Sequence, residues 1–292
     1  MRGSEGQELP HRSTSAPRFP APASRAWCEA HALPRRPGEA RGHQPVALRV
    51  AVDPALWFLL PRARRTSAFP VSAAPSDTVG NVTIALGIPR TEVGPLVLDG
   101  HLGPASSPVS SGLLRIGPAP RPQQTSTTPP RFLLDVHLGA LARRLRLLGL
   151  DTAHETHADD AGLVRRAAET ARVLLTRDRA LLYRSALPEG ALVRGTLTQD
   201  QLDDVLGRFA PPLSPWTRCT RCNGLLEPAS VADVAADIEP GTCRAYDVFS
   251  RCGGCARVYW RGAHAPALEA VVARAERVVT DARQPLPVAP LL

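Results

Sequence analysis

Lysine is missing from this chain: all 35 of its basic residues are arginine, against 27 acidic ones. That absence reflects a GC-rich genome more than any particular chemistry. Aromatic residues are scarce, at 4%, and there is a single methionine, so any core must be built from Leu, Val and Ala. Long apolar runs are wanting too. None approaches the roughly 18 residues of a membrane span, and the opening MRGSEGQELPHRS lacks the apolar stretch of a signal peptide. The expectation is a soluble, cytoplasmic protein with no membrane partner. Cysteines number only six, four of them in two CxxC pairs. In a reducing compartment that pattern argues for metal rather than disulfides.

The 292 residues exceed the usual domain size of roughly 100–200, which points to two folded units. A net charge of +8 suggests an anionic partner such as nucleic acid. The competing account is that an arginine-rich N-terminal tail sets the value. Residues 1–45 are rich in Pro, Arg, Ala, Ser and Gly without periodicity and are expected to be disordered, or to be an over-extended gene start. Cys28 and His31 lie in that stretch, and their proximity is read as accidental. From Pro45, ALRVAV and FPVSA read as strands, and SDTVGNVTIAL as a helix capped at Ser76 or Asp77. GIPRTEV follows as a turn, with PLVLDG and GLLRIGP as further strands. Residues 46–117 therefore suit a small α+β domain, and 118–130, PAPRPQQTSTTPP, an extended linker.

A second unit begins at RFLLD, residues 131–135. LGALARRLRLLG places Leu138, Leu141, Leu145 and Leu148 on one helical stripe, with Gly149 as the C-cap. LDTAHE, VLLTRD and ALVRG read as strands, while DDAGLVRRAAETA, RALLYRSA and TQDQLDDVLGRF read as helices. Strands alternating with helices over residues 131–212 imply a parallel sheet flanked by helices. The CxxC module occupies 213–265, and 266–292 holds an amphipathic helix (268–279) and a tail.

Cys219, Cys222, Cys252 and Cys255 are spaced to bring two sulfurs from each of two tight turns around one structural Zn²⁺, with no coordination position left for substrate. Thioredoxin-like redox chemistry is the competing reading for a lone CxxC. Cys243 is expected to be a small buried apolar side chain. Arg218, Arg221, Arg251 and Arg257 lie near enough in sequence to compensate thiolate charge or to contact phosphate. Tyr259 and Trp260 are placed to stack on bases or, more simply, to pack the ribbon.

Asp135 closes one strand and Asp178 another. In a parallel sheet both strand ends open on the edge where ligands bind. With Asp160 at the head of the helix after the second strand, the three carboxylates suit Mg²⁺ or Mn²⁺ holding a phosphodiester. The bland alternatives are that Asp159 or Asp160 is only an N-cap and that Asp178 starts a turn. Arg177 and Arg179 flank Asp178 and are candidates for holding phosphate. His137, His154, Glu155, His157 and Gln201 are secondary, with Gln201 expected at the surface.

RFLLDVHLGALARRLRLLGLDT, the DD before a helix, VLLTRDRALL, RCTRCNGLLEP and CGGCARVYWRGAH together resemble the Mut-seven C-terminal RNase domain family, over residues 131–265. The resemblance implies a PIN-like α/β nuclease fold with a zinc ribbon, in which Asp135, Asp160 and Asp178 form the acidic metal site and RNA is the substrate. His137 departs from it, standing where an apolar residue such as methionine is expected. Residues 46–117, through SDTVGNVTIALGIPRTEVGPLVLDG, resemble the ubiquitin-like β-grasp domain that often precedes this nuclease. That domain is also similar to small sulfur carriers, but it lacks their free Gly-Gly end. A docking role with a protein partner is expected instead. The leading expectation is a metal-dependent ribonuclease; a non-catalytic RNA-binding protein or a β-grasp adaptor is the alternative.

Overall fold

The computed structural model describes residues 44–284. The disordered tail expected over 1–45, with Cys28 and His31, falls almost wholly outside them. The first half is a five-stranded mixed sheet crossed by one helix. Its elements are β1 (Val46–Val52), β2 (Phe69–Ala73), α1 (Val79–Ala85), β3 (Val93–Leu98), β4 (His101–Gly103) and β5 (Gly112–Pro118). The strand order is β2-β1-β5-β3-β4, with β1 parallel to β5 and the other pairs antiparallel, which is the β-grasp arrangement. In β1, Leu48, Val50 and Val52 point into the core and Ala47 and Arg49 outward, as the two-residue period of a strand requires. The cap of α1 is Thr78, whose hydroxyl accepts from Asn81 N at 3.2 Å. Asp77, one of the two caps expected, instead closes the preceding turn by accepting from Ala74 N at 2.8 Å. Between β1 and β2 a 3-10 turn, Pro54–Leu59, is capped by Asp53 and buries Leu56 and Leu59.

The second half contains β6 (Phe132–Leu134), α2 (Gly139–Leu147), β7 (Thr152–His154), α3 (Asp160–Glu169), β8 (Val173–Thr176), α4 (Arg179–Leu182), β9 (Gly190–Leu192) and α5 (Thr198–Phe209). The ribbon follows as β10 (Leu226–Ala229), α6 (Val231–Val234), α7 (Pro240–Ala245), β11 (Phe249–Cys252) and β12 (Val258–Trp260), then α8 (Ala265–Arg283). The four strands β7-β6-β8-β9 are all parallel. Their side chains alternate between faces. Phe132, Leu134, Val173 and Leu175 join one core with α2, α5 and α8, while Leu133 and Leu174 join another with α3 and α4. Such double-sided burial explains why these strands read as unbroken apolar runs. Gly149 ends α2 at φ +81°, where an added Cβ would run into the Ser214 carbonyl, so only glycine serves.

The two halves share one buried cluster, in which the β-grasp core continues into Leu163, Val164, Leu181 and Leu182. At their junction Glu92 and Arg208, each 2% exposed, form an ion pair at 2.8 Å. Glu92 also accepts from Leu192 N, and Arg208 donates to Thr91 O and to Gln123 Oε1. The segment expected as a linker carries no regular element but is fastened along the second half, through Arg121–Asp204 at 3.1 Å and Ser126 N to Glu189 at 2.8 Å.

Candidate functional site

β6 leads the second half in sequence, yet it has β7 on one side and β8 on the other. The chain direction therefore switches between β6 and β8, and at such a point the loops leaving the two strands part and open a crevice at the carboxyl edge. Asp135 follows β6 and Asp178 lies just beyond β8, both at this carboxyl edge. Asp135 is buried, 4% exposed, and caps a 3-10 turn by accepting from His137 N at 3.0 Å. Its Oδ2 accepts from the Thr176 hydroxyl at 2.5 Å, and the same hydroxyl accepts from Asp178 N at 2.9 Å. Thr176, which sequence reasoning passed over, thus ties the first acid to the backbone of the second. Asp178 is exposed and caps α4 through Oδ1, which accepts from Ala180 N at 2.7 Å. Both acids are N-caps, of the 3-10 turn and of α4, at the carboxyl ends of neighbouring strands.

Asp160 stands apart. It is the first residue of α3, half exposed, and pairs with Arg184 at 3.2 Å, while its neighbour Asp159 supplies the cap to Gly162 N. The three aspartates are not among the groups of ligand atoms that lie within 4.8 Å of one another in the described residues. His154 packs over the start of α2, Glu155 pairs with Arg166 at 2.8 Å, and His137 and His157 are exposed.

The flanking arginines separate. Arg177 is exposed. The Arg179 guanidinium instead reaches the first half, donating to Leu59 O at 3.1 Å and to Gly87 O at 2.5 Å. The Arg179 guanidinium, expected as a phosphate contact, is thus engaged in an interdomain tie to backbone carbonyls of the β-grasp half. Gln201, expected at the surface, is 7% exposed and donates to Gly195 O at 3.3 Å.

The ribbon brings Cys219, Cys222, Cys252 and Cys255 together, their sulfurs all within 4.8 Å of one another. Each pair sits on a tight turn whose next residue, Asn223 at φ +72° or Ala256 at φ +57°, adopts the left-handed conformation that lets the chain curl under its sulfurs. Gly224 leaves room: a Cβ there would lie 3.0 Å from the Cys252 sulfur. Burial opposes ionisation of Cys219, but the Tyr259 hydroxyl, 3.0 Å away, and backbone N–H groups stabilise its thiolate and bring the pKa to about 6. Burial and the crowding of neighbouring sulfurs push Cys222 up to about 12. Four soft sulfur donors converging on one point are a set suited to a cation, and this cluster can hold zinc.

Two of the four arginines expected near the cluster, Arg218 and Arg251, are engaged with other groups. Arg218 donates to Gly149 O and Asn223 O, and Arg251 pairs with Asp237 at 2.6 Å. The cation under the first CxxC turn is Arg146 on α2, buried, donating to Thr220 O and Arg221 O. Asp151 seats the ribbon against the sheet, accepting from Asn223 Nδ2 at 2.7 Å and from Arg172 at 2.8 Å. Against burial, which would raise it, these hydrogen bonds hold its pKa down to about 2. The only sequence hint to Arg146 is its polarity within an otherwise apolar helical stripe. Cys243 is partly exposed rather than buried.

Among the described residues no helix is long and apolar enough to cross a membrane. Neither the curated proteins nor the solved structures contain a match to the chain. Two family models do match, in the order expected. Residues 46–124 match the Mut7-C ubiquitin model and residues 130–272 the Mut7-C RNAse domain model. The β-grasp half, the parallel sheet and the four-cysteine ribbon thus fall within one domain pairing, and the chain belongs to the Mut7-C RNAse domain family, with a Mut7-C ubiquitin domain ahead of its RNase half.

Proposed function

We propose that this protein is a metal-dependent ribonuclease that hydrolyses RNA phosphodiester bonds at the crevice between β6 and β8. The observation that carries the reading is the Thr176 hydroxyl joining buried Asp135 to Asp178 at a topological switch point. A buried carboxylate held by two donors is costly to maintain for packing alone, and the PIN-like nuclease reading gives it a use.

The donors fit a hard cation. Each Asp135 oxygen accepts one hydrogen bond and keeps a second acceptor direction, and Asp178 Oδ2 has no protein partner among the described residues. Bound there, Mg²⁺ or Mn²⁺ supplies charge neutralisation on the phosphodiester and eases deprotonation of water. Asp135 and Asp178 would hold it. Asp160 joins them if it leaves Arg184, a weak exposed pair that costs little to break. Arg177 holds the RNA backbone. Zinc on the four cysteines is structural and stiffens the ribbon. We place the protein in the cytoplasm, and we keep a protein-docking role for the surface of the ubiquitin-like half that the RNase half leaves uncovered.

The test is cleavage of single-stranded and structured RNA with Mn²⁺. Asp135→Asn combined with Asp178→Asn should lower the rate on the order of 100-fold or more in a variant that still unfolds cooperatively. Undiminished cleavage in that variant would assign the activity elsewhere. Binding of RNA without cleavage would favour the non-catalytic reading.

A further inference from the structure

Arg194 follows β9, the strand beside β8. The register pairs Thr176 with Leu192, and Val193 N donates to Thr176 O at 2.8 Å, so Arg194 leaves the sheet on the same edge as Asp178. Its guanidinium lies 4.0 Å from the ring centroid of Phe58, in the 3-10 turn of the ubiquitin-like half. That turn also supplies Leu59 O to Arg179. The β-grasp half therefore reaches over the carboxyl edge of the nuclease sheet between these two arginines.

Arg194 makes no ion pair among the described residues, and its Nε is buried without a hydrogen-bond partner. The acids around it are engaged. Asp204 accepts from the Arg194 backbone N–H and pairs with Arg121, while Glu92 pairs with Arg208. Burial lowers the pKa of Arg194, and the Asp204 carboxylate offsets this only in part. Phe58 is 39% exposed although it carries a guanidinium on its face. A cation held over an aromatic ring, with its side-chain donors unclaimed, at the edge where the acids lie, is built to receive an anion.

We propose that Arg194, held on the Phe58 platform, is a phosphate-binding subsite for the RNA strand entering the acidic crevice, so that the ubiquitin-like half completes the substrate site. This deepens the ribonuclease reading by naming where the strand is held, and it depends on that reading only for the identity of the anion. A guanidinium serves here better than an ammonium because its planar fork can stack on the ring and still present two donors to phosphate oxygens.

The test uses the full chain carrying Asp135→Asn, a fluorescent single-stranded oligouridine and a series of salt concentrations. Arg194→Gln should weaken binding about ten-fold at low salt and flatten the slope of log affinity against log salt by about 0.7, the value for one phosphate contact on a single strand. Phe58→Leu should weaken binding less and keep the slope, because the charge stays while its platform goes. Arg194→Lys should also keep the slope while weakening binding by less than Arg194→Gln, and it reports on the site even where Arg194→Gln fails to fold. An unchanged affinity and slope in a folded Arg194 variant would overturn the proposal. If the unsubstituted chain binds RNA with this dependence but never cleaves, the nuclease reading fails and the subsite stands; if it cleaves while the slope ignores Arg194, the subsite alone fails.

Discussion

Glu92→Gln tests whether the ubiquitin-like half folds as one unit with the RNase half or is a passenger. Glu92 and Arg208 are 116 residues apart and each is 2% exposed. Glutamine keeps the shape of Glu92 and can still accept from Leu192 N, so the change chiefly strands the Arg208 charge. Uncompensated burial of one partner costs about 3–5 kcal/mol. Arg208 keeps Thr91 O and Gln123 Oε1, which places the expected loss near the lower bound, about 3 kcal/mol. Against a total stability of about 5–15 kcal/mol that is a large fraction, moving a urea midpoint by about 1 M. The double variant Glu92→Met with Arg208→Met removes both charges and should cost clearly less than the sum of the two single changes. Equilibrium unfolding in urea, followed by far-UV circular dichroism and by tryptophan fluorescence, reads all three, and the two probes should move together if the halves unfold as one. Single changes that each cost under about 1 kcal/mol, or costs that simply add, would refute the reasoning, since a desolvated and coupled pair cannot behave that way.

Three further outcomes are expected. Asp151, with its pKa lowered from 3.8 to about 2, contributes stability that is fully present above about pH 4 and lost as pH falls toward 2. Asp151→Asn should therefore cost on the order of 2 kcal/mol at pH 7, and the gap to the parent should close over that window in paired urea titrations. Elemental analysis should find about one zinc per chain, and Cys219→Ser should lose it and melt the ribbon at lower temperature; full zinc retention would contradict the four-sulfur assignment. Thr176→Val should destabilise the fold by about 1–3 kcal/mol, since it leaves Asp135 short of a donor, and should slow Mn²⁺-dependent cleavage, whereas Thr176→Ser should keep both.

Local pattern carried much of this protein. The alternation in VALRVAV, the run FLL ended by Asp135, the stripe of leucines leading to Gly149 and the two CxxC turns each state their structure within a few residues, because strand pleat, helical period and tight turns are short-range properties. The helix Thr198–Phe209 and the strands Phe69–Ala73 and Gly112–Pro118 were readable in the same way. β4 was not: His101–Gly103 is three residues long and largely exposed, with no apolar face to announce it. Nor could sequence choose between Asp159 and Asp160 as the cap of α3, since both are equally able to accept from the first turn.

Tertiary structure decided where the long side chains went. An arginine side chain is long and carries a fork of donors, so it binds whatever the topology brings near. Sequence could thus place Arg179 beside Asp178 but not send its guanidinium into the β-grasp half, nor match Arg208 to Glu92, nor set Arg194 over Phe58. Thr176 gained its part only when parallel pairing laid β8 against β6. The acids of this crevice were legible one by one; what joins them, and what walls them in, is a property of contacts between segments that the chain keeps far apart.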